Sequence, residues 1–306
     1  MKKSLVLLAT APLVALLAAC GASAKDDGKT SVVASFYSFA WVAEQVGGSF
    51  VSVQNLTSPG TEPHDLELKP KQVAAVQDAD VVLYEKHFQA AVDEAVDQAG
   101  RSDEDTIDAD AVLDVLPVQE GAEDEDSHGH DHGEEDPHTW LDPTNMIAIT
   151  EAVSARLVAV DPAHAADYRA NADDLVARLT ALDERFSSGL KRCERRTIVT
   201  SHAAFQYLAH RYDLTQVPIA GLDPTNEPSP SQLGDITKLV RSEGITTIFT
   251  EELVSPAIAD TIAQETGATT ATLDPIEGLS EDTGDESYLT LMDKNLATLK
   301  KANGCS

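Results

Sequence analysis

Four of the nine histidines crowd one stretch of this chain, Glu123–Asp142, which reads EDEDSHGHDHGEEDPHTWLD. Imidazole nitrogen and carboxylate oxygen are ligands of borderline divalent metals, zinc above all. His128, His130 and His132 lie on an acidic, glycine-spaced string that can meet a cation without a fold to hold it. Each such contact costs ordering entropy, so this string is expected to bind weakly, as an auxiliary loop. His138 is different, because it stands where the string ends and the apolar block PHTWLDP begins.

Three further residues share its setting. His64 sits in a Pro/Gly-rich loop, TSPGTEPHDLE, after the β-rich run 50–56. His202 comes two residues after TIVT (197–200), and Asp274 directly follows TTATL (269–273). His138 follows the strand-like apolar run 112–118 and the acidic stretch. Open parallel sheets place ligand sites outside the carboxyl ends of their strands, so all four point toward one crevice. Three imidazoles and one carboxylate suit tetrahedral zinc. Glu62 competes with Asp274 for the fourth position, and Glu251 or Glu252 is placed to accept from a ligand imidazole. His87, His164 and His210 fall in helical patterns and read as ordinary surface or core residues.

The elements that must position these groups alternate. Strand-like runs at 31–35, 50–56 and 80–84 are separated by helical ones at 39–46, 70–78 and 88–98, a βαβ pattern that implies a parallel sheet covered by helices. The pattern resumes after Cys193, with strands at 197–200, 216–220, 246–250 and 269–273 and helices at 203–210, 229–241, 256–265 and 288–302. Between the halves, Asp161-Pro162 is a helix start. Tyr168, Leu175, Leu179, Leu182, Phe186 and Leu190 then mark one apolar stripe. A helix of about thirty residues would reach roughly 45 Å, enough to span two domains. The expected α/β architecture is two doubly wound lobes with parallel sheets, joined by one long rigid helix, with the metal site in the cleft. The boundaries are an N-terminal lobe over 31–160 with the His-rich loop at 120–137, a linking helix over 161–192 and a C-terminal lobe over 193–306.

Residues 1–19 read as a signal peptide, with two lysines before a short apolar core. LAAC at 17–20 resembles a lipobox, which would leave Cys20 as the site of lipid attachment and 20–30 as a tether. The net charge of −30 argues against a nucleic-acid partner. Cys193 and Cys305 remain as an even pair in an oxidising compartment, so a disulfide is expected.

Four blocks, EPHDLELKP around His64, PHTWLDP around His138, SHAAFQYLA around His202 and LDPIEGL around Asp274, resemble the signatures of the metal-binding lipoproteins of ABC importers, and more closely the zinc-specific, ZnuA-like branch. The similarity covers nearly all of the mature chain, in order. It implies two α/β lobes bridged by a rigid helix, and it carries the ligand role to His64, His138, His202 and Asp274. It implies a monomeric, non-enzymatic zinc carrier, lipid-anchored on the extracytoplasmic face of a bacterial membrane, that delivers Zn(II) to a permease with its ATPase. Manganese-binding relatives usually carry Glu where this chain has His202 and lack a His-rich loop. A manganese or iron carrier of the same class, or an extracellular metal-dependent adhesin, is the alternative. A zinc hydrolase is the rival from another class, though no HExxH block occurs.

Overall fold

A computed structural model of the chain describes residues 28–119 and 135–306. The signal peptide, Cys20 and the histidines His128, His130 and His132 lie outside the described residues. The first sheet is built from β1 (Thr30–Ala34), β2 (Val51–Asn55), β3 (Val81–Tyr84) and β4 (Thr106–Asp108), in the order β2-β1-β3-β4 and parallel throughout. The helices α1 (Tyr37–Gly47), α2 (Pro70–Asp78) and α3 (Ala90–Ala99) connect its strands. The consecutive valines of β1, and all of VVLY in β3, are buried, as strands covered on both faces require.

After α4 (Pro143–Val160) and α5 (Ala165–Gly189), the second sheet repeats this plan. Its strands β5 (Thr197–Thr200), β6 (Thr215–Pro218), β7 (Thr247–Thr250) and β8 (Thr269–Thr272) run parallel in the order β6-β5-β7-β8. They alternate with α6 (Gln206–Arg211), α7 (Pro230–Glu243) and α8 (Ala257–Thr266), and α9 (Tyr288–Asn303) closes the chain. The fold is thus two parallel α/β lobes, as expected.

Five residues of the stripe read from the sequence, Tyr168, Leu175, Leu179, Leu182 and Phe186, form the buried face of α5 together with Ala172, and the sixth, Leu190, is buried just past its end. This helix touches both lobes. Near its start Asn171 donates to Val46 O (3.0 Å) and Arg178 to Gln45 Oε1 (2.9 Å), both at the end of α1. Near its end Arg185 pairs with Asp293 of α9, and Asp183 takes bonds from Arg211 and Tyr212. At 25 residues it is shorter than the expected thirty, because Asp161-Pro162 opens a separate 3-10 turn, Pro162–His164, before it. One apolar core runs from Val32 through Trp140, Leu182 and Tyr288 to Ala302, so the lobes share their packing.

Two elements differ from the sequence reading. The apolar run 112–118 is not a sheet strand; the fourth strand is the three-residue β4, with Ile107 its one buried side chain, too short to show a period. The helix α4 was not anticipated. Asp142 caps it by accepting Thr144 N–H at 2.7 Å, and Pro143 opens it, but its many alanines and β-branched residues leave no clean apolar stripe.

Cys193 and Cys305 form a disulfide that closes 112 residues and joins the chain after α5 to the chain after α9.

Candidate metal centre

The second sheet delivers His202 immediately past β5. Thr200 Oγ1 donates to His202 O (2.7 Å), which curls the chain at the strand end. Glu251, just past β7, accepts from the ring Nδ1 at 2.8 and 2.9 Å through its two oxygens. The first lobe supplies His138 and His64. Asp136 Oδ1 accepts from both the backbone N–H (2.9 Å) and Nδ1 (2.8 Å) of His138. His64 lies in the loop after β2, with its ring edge-on to Phe88 at 4.7 Å and Pro63 O held by Gln89 at 3.2 Å. All three imidazoles are buried. A carboxylate accepts only, so at His138 and His202 Nδ1 carries a proton, and Nε2 is the atom that faces the cleft and donates to a metal once deprotonated.

The fourth member of this group is Glu277, which the sequence reading did not select. His64, His138, His202 and Glu277 each offer one ligand atom, and these atoms lie within 4.8 Å of one another. The Nε2 atoms of His64 and His138 are 3.4 Å apart, and Glu277 Oε1 is 3.2, 3.6 and 3.8 Å from Nε2 of His202, His138 and His64. A tetrahedral zinc with bonds of 2.0–2.1 Å has edges of about 3.3 Å between its ligand atoms. His202 Nε2 and Glu277 Oε1 are fully enclosed yet make no hydrogen bond, although they stand at ion-pair distance. Only ion pairing offsets their burial without a metal, and a cation at the centre would satisfy both at once. The donor set therefore fits zinc.

Asp274, expected as the fourth ligand, is not among these four. Its Oδ1 accepts from Ile276 N–H (2.8 Å), while its backbone is held on both sides by Asn295 (2.9 and 2.7 Å). The side chain and backbone of Asp274 thus both shape the turn that leads to Glu277. A signal for this was present: LDP also occurs at 141–143 and 222–224, and there too the Asp carboxylate accepts the N–H two residues on, Thr144 and Thr225, each at 2.7 Å. In this chain LDP encodes a turn. Glu62 stays outside the group as well; its Oε1 accepts from His64 N–H at 3.2 Å. Burial, with Glu277 nearby, raises its pKa to about 7.

The electrostatics divide the four groups. Burial opposes charge on His202, but Glu251 and then Glu277 overcome it and hold its pKa well above the ordinary value. Burial opposes charge on His64 too, and Glu277 reverses the balance, so its pKa is raised. At His138 burial outweighs Asp136 and the pKa falls. Glu277 resists its own burial through His202 and stays ionised well below the usual carboxylate range.

Residues 32–302 match the family model described as ZnuA, zinc-uptake complex component A, periplasmic. The chain belongs to the ZnuA family. It is 39 % identical over 311 residues to the zinc-binding lipoprotein AdcA of Streptococcus pneumoniae TIGR4, an alignment that takes in 98 % of this chain and 61 % of AdcA. The chain thus spans under two thirds of that relative's length. It is 35 % identical to the high-affinity zinc uptake system protein ZnuA of Bacillus subtilis 168, with 93 % of each covered. Among solved structures, the Zn(II)-bound ZnuA-like domain of S. pneumoniae AdcA superposes with a TM-score of 0.76 at 36 % identity, covering 90 % of this chain and 99 % of that domain. The family thus carries the two-lobe fold that frames the His/Glu cluster.

Proposed function

We propose that this ZnuA-family protein captures Zn(II) outside the cytoplasmic membrane and delivers it to an ABC permease driven by its ATPase. The observation that carries this reading is the closed, buried set of His64, His138, His202 and Glu277, spaced for tetrahedral zinc between two lobes. Three imidazoles with one carboxylate favour zinc over manganese, which prefers oxygen-rich shells. Glu277 fills the fourth position, so the shell leaves no open site for the activated water that a zinc hydrolase needs. Zinc is cargo here, and the protein is a carrier rather than an enzyme. The names of its relatives support a lipoprotein, in agreement with attachment through Cys20. Among the described residues no helix is long and apolar enough to cross a membrane. The reading keeps the protein monomeric on that anchor.

The testing experiment is elemental analysis with competition titration on protein lacking residues 121–134. The deletion stops short of Asp136, because that carboxylate holds His138. Retention of one tight zinc that is lost on His138→Ala supports the inter-lobe centre. Loss of all tight zinc with the deletion alone would refute it.

A further inference from the structure

Tyr207 stands on α6 in the second lobe, almost wholly buried, on the far side of the cleft from the segment that carries His138. Its hydroxyl accepts from Leu116 N–H (2.9 Å) and donates to Asp136 O (2.8 Å). Leu116 and Asp136 belong to the two arms of a short stem. Asp136 N–H donates to Leu116 O (2.9 Å), and Pro117 and Glu135 form an antiparallel bridge beside it. One phenol oxygen therefore holds both arms of this stem against the second lobe. From Asp136 the contacts continue to the ring Nδ1 and the backbone N–H of His138. Gln206 also reaches the stem, at Pro117 O (2.8 Å), and Gln119 donates to Gln216 O (3.0 Å), but neither bond touches Asp136.

We propose that Tyr207 is a positioning residue for His138, acting across the cleft through Asp136. The hydroxyl keeps the Asp136 carboxylate against the imidazole while the lobes are seated together. A separation that stretches the Tyr207 bonds releases the Asp136 end of the stem, and the carboxylate no longer orients the ring. Hydrogen bonds fail beyond about 3.5 Å, so a lobe movement on the order of 1 Å is enough. Carboxylate partners of metal-binding imidazoles set ring orientation and basicity. Zinc release is thereby tied to lobe separation without a wide hinge. This inference rests on reading the four-residue cluster as the zinc site.

The test uses the full chain loaded with one equivalent of metal. Zinc dissociation is timed in excess chelator, and the d–d spectrum of the Co(II) form is recorded. Tyr207→Phe and Asp136→Ala should each speed release by about tenfold or more, with shifted Co(II) bands. The double variant should be no faster than Asp136→Ala alone, because the two residues act in series. Tyr212→Phe is the control: its hydroxyl donates to Asp183 (3.0 Å), a bond that touches neither Asp136 nor the stem. It should match the fall in thermal midpoint yet leave release within about twofold of wild type. Unchanged release in Tyr207→Phe or in Asp136→Ala overturns the proposal. So does equal acceleration in Tyr212→Phe, or simple additivity in the double variant. If wild-type loading is insensitive to His138→Ala, the zinc-site reading itself has failed.

Discussion

Asp274 Oδ1 accepts the N–H of Ile276 at 2.8 Å, in the turn that leads to Glu277, the carboxylate grouped with the three imidazoles. This bond folds the chain after β8 so tightly that Ile276 takes a left-handed backbone, with φ of 56°. A β-branched residue there costs about 1–3 kcal/mol and survives only where its surroundings over-determine it. Here they do: Ile276 is fully buried, and its carbonyl takes a 2.7 Å bond from Ser38 of the first lobe. The turn's product is the inward carboxylate of Glu277.

The two acids should therefore fail differently. Glu277→Ala removes a donor atom and is expected to weaken zinc binding by about 100-fold or more, with little loss of metal-free stability. Asp274→Ala strands a buried N–H and should cost about 1–3 kcal/mol in chemical denaturation. Its effect on zinc should be smaller than that of Glu277→Ala. Competition titration against a chromophoric chelator ranks them, and the reverse ranking would restore Asp274 as the ligand.

Zinc binding should release protons. Zinc takes only neutral imidazole. Against the effect of burial, Glu251 and Glu277 keep the pKa of His202 well above its ordinary value, and Glu277 raises that of His64. The metal-free site therefore holds protons that zinc must expel, and affinity falls as pH falls. Because those two pKa values are raised, the decline should begin above the free-histidine value of about 6.5. Calorimetry in buffers of different ionisation enthalpy reads the protons released, and an affinity flat from about pH 8 to about pH 6 would contradict the argument.

Glu251→Gln removes the charged acceptor behind His202 but keeps the shape of the side chain. Affinity should drop by about 10–100-fold, as for other carboxylates that orient metal-bound imidazoles. The same change should lower the pKa of His202, since Glu251 is the largest influence raising it. Histidine titration by NMR in the metal-free protein checks this second effect.

Loaded protein should melt well above the metal-free form. A ligand that binds only the folded state at 1,000 times its Kd adds about 4 kcal/mol. Calorimetry with and without chelator measures the difference. His138→Ala should abolish most of it.

Cys193→Ser with Cys305→Ser should lower thermal stability while zinc affinity stays within about twofold, since neither cysteine belongs to the four-residue group. A loop of this length carries at most ~5 kcal/mol in the chain-entropy model. The observed loss should be less, because Arg195 N–H to Asn303 O and Ser306 N–H to Arg192 O also hold the C-terminus (3.1 and 2.9 Å).

Much of this protein follows from local sequence. Alternating β-rich and helical runs specify two parallel lobes, because each run needs only its own periodicity to declare itself. The stripe of α5 declares the bridging helix in the same way. His64, His138 and His202 are legible because imidazoles at strand ends beside Pro/Gly loops have few structural uses. Glu251 could be anticipated as a partner for the same reason.

The rest was decided by contacts between residues far apart in the chain. Nothing local separates Asp274 from Glu277 as a ligand; the choice depends on a turn locked by Ser38, 238 residues away, and by Asn295. The LDP repeats hinted at it, but a repeated turn signal does not say what the turn will aim. The helix α4 escaped notice because it is packed against both α1 and α5, which removes the one-sided pattern of a surface helix. The link from Tyr207 to Asp136 spans 71 residues and joins two lobes, so no window along the sequence contains it. Sequence alone determined the three imidazoles of the candidate site and most of the elements that carry them. Only the tertiary structure decided which carboxylate completes the set and what holds His138 in place, because both depend on distances across the cleft.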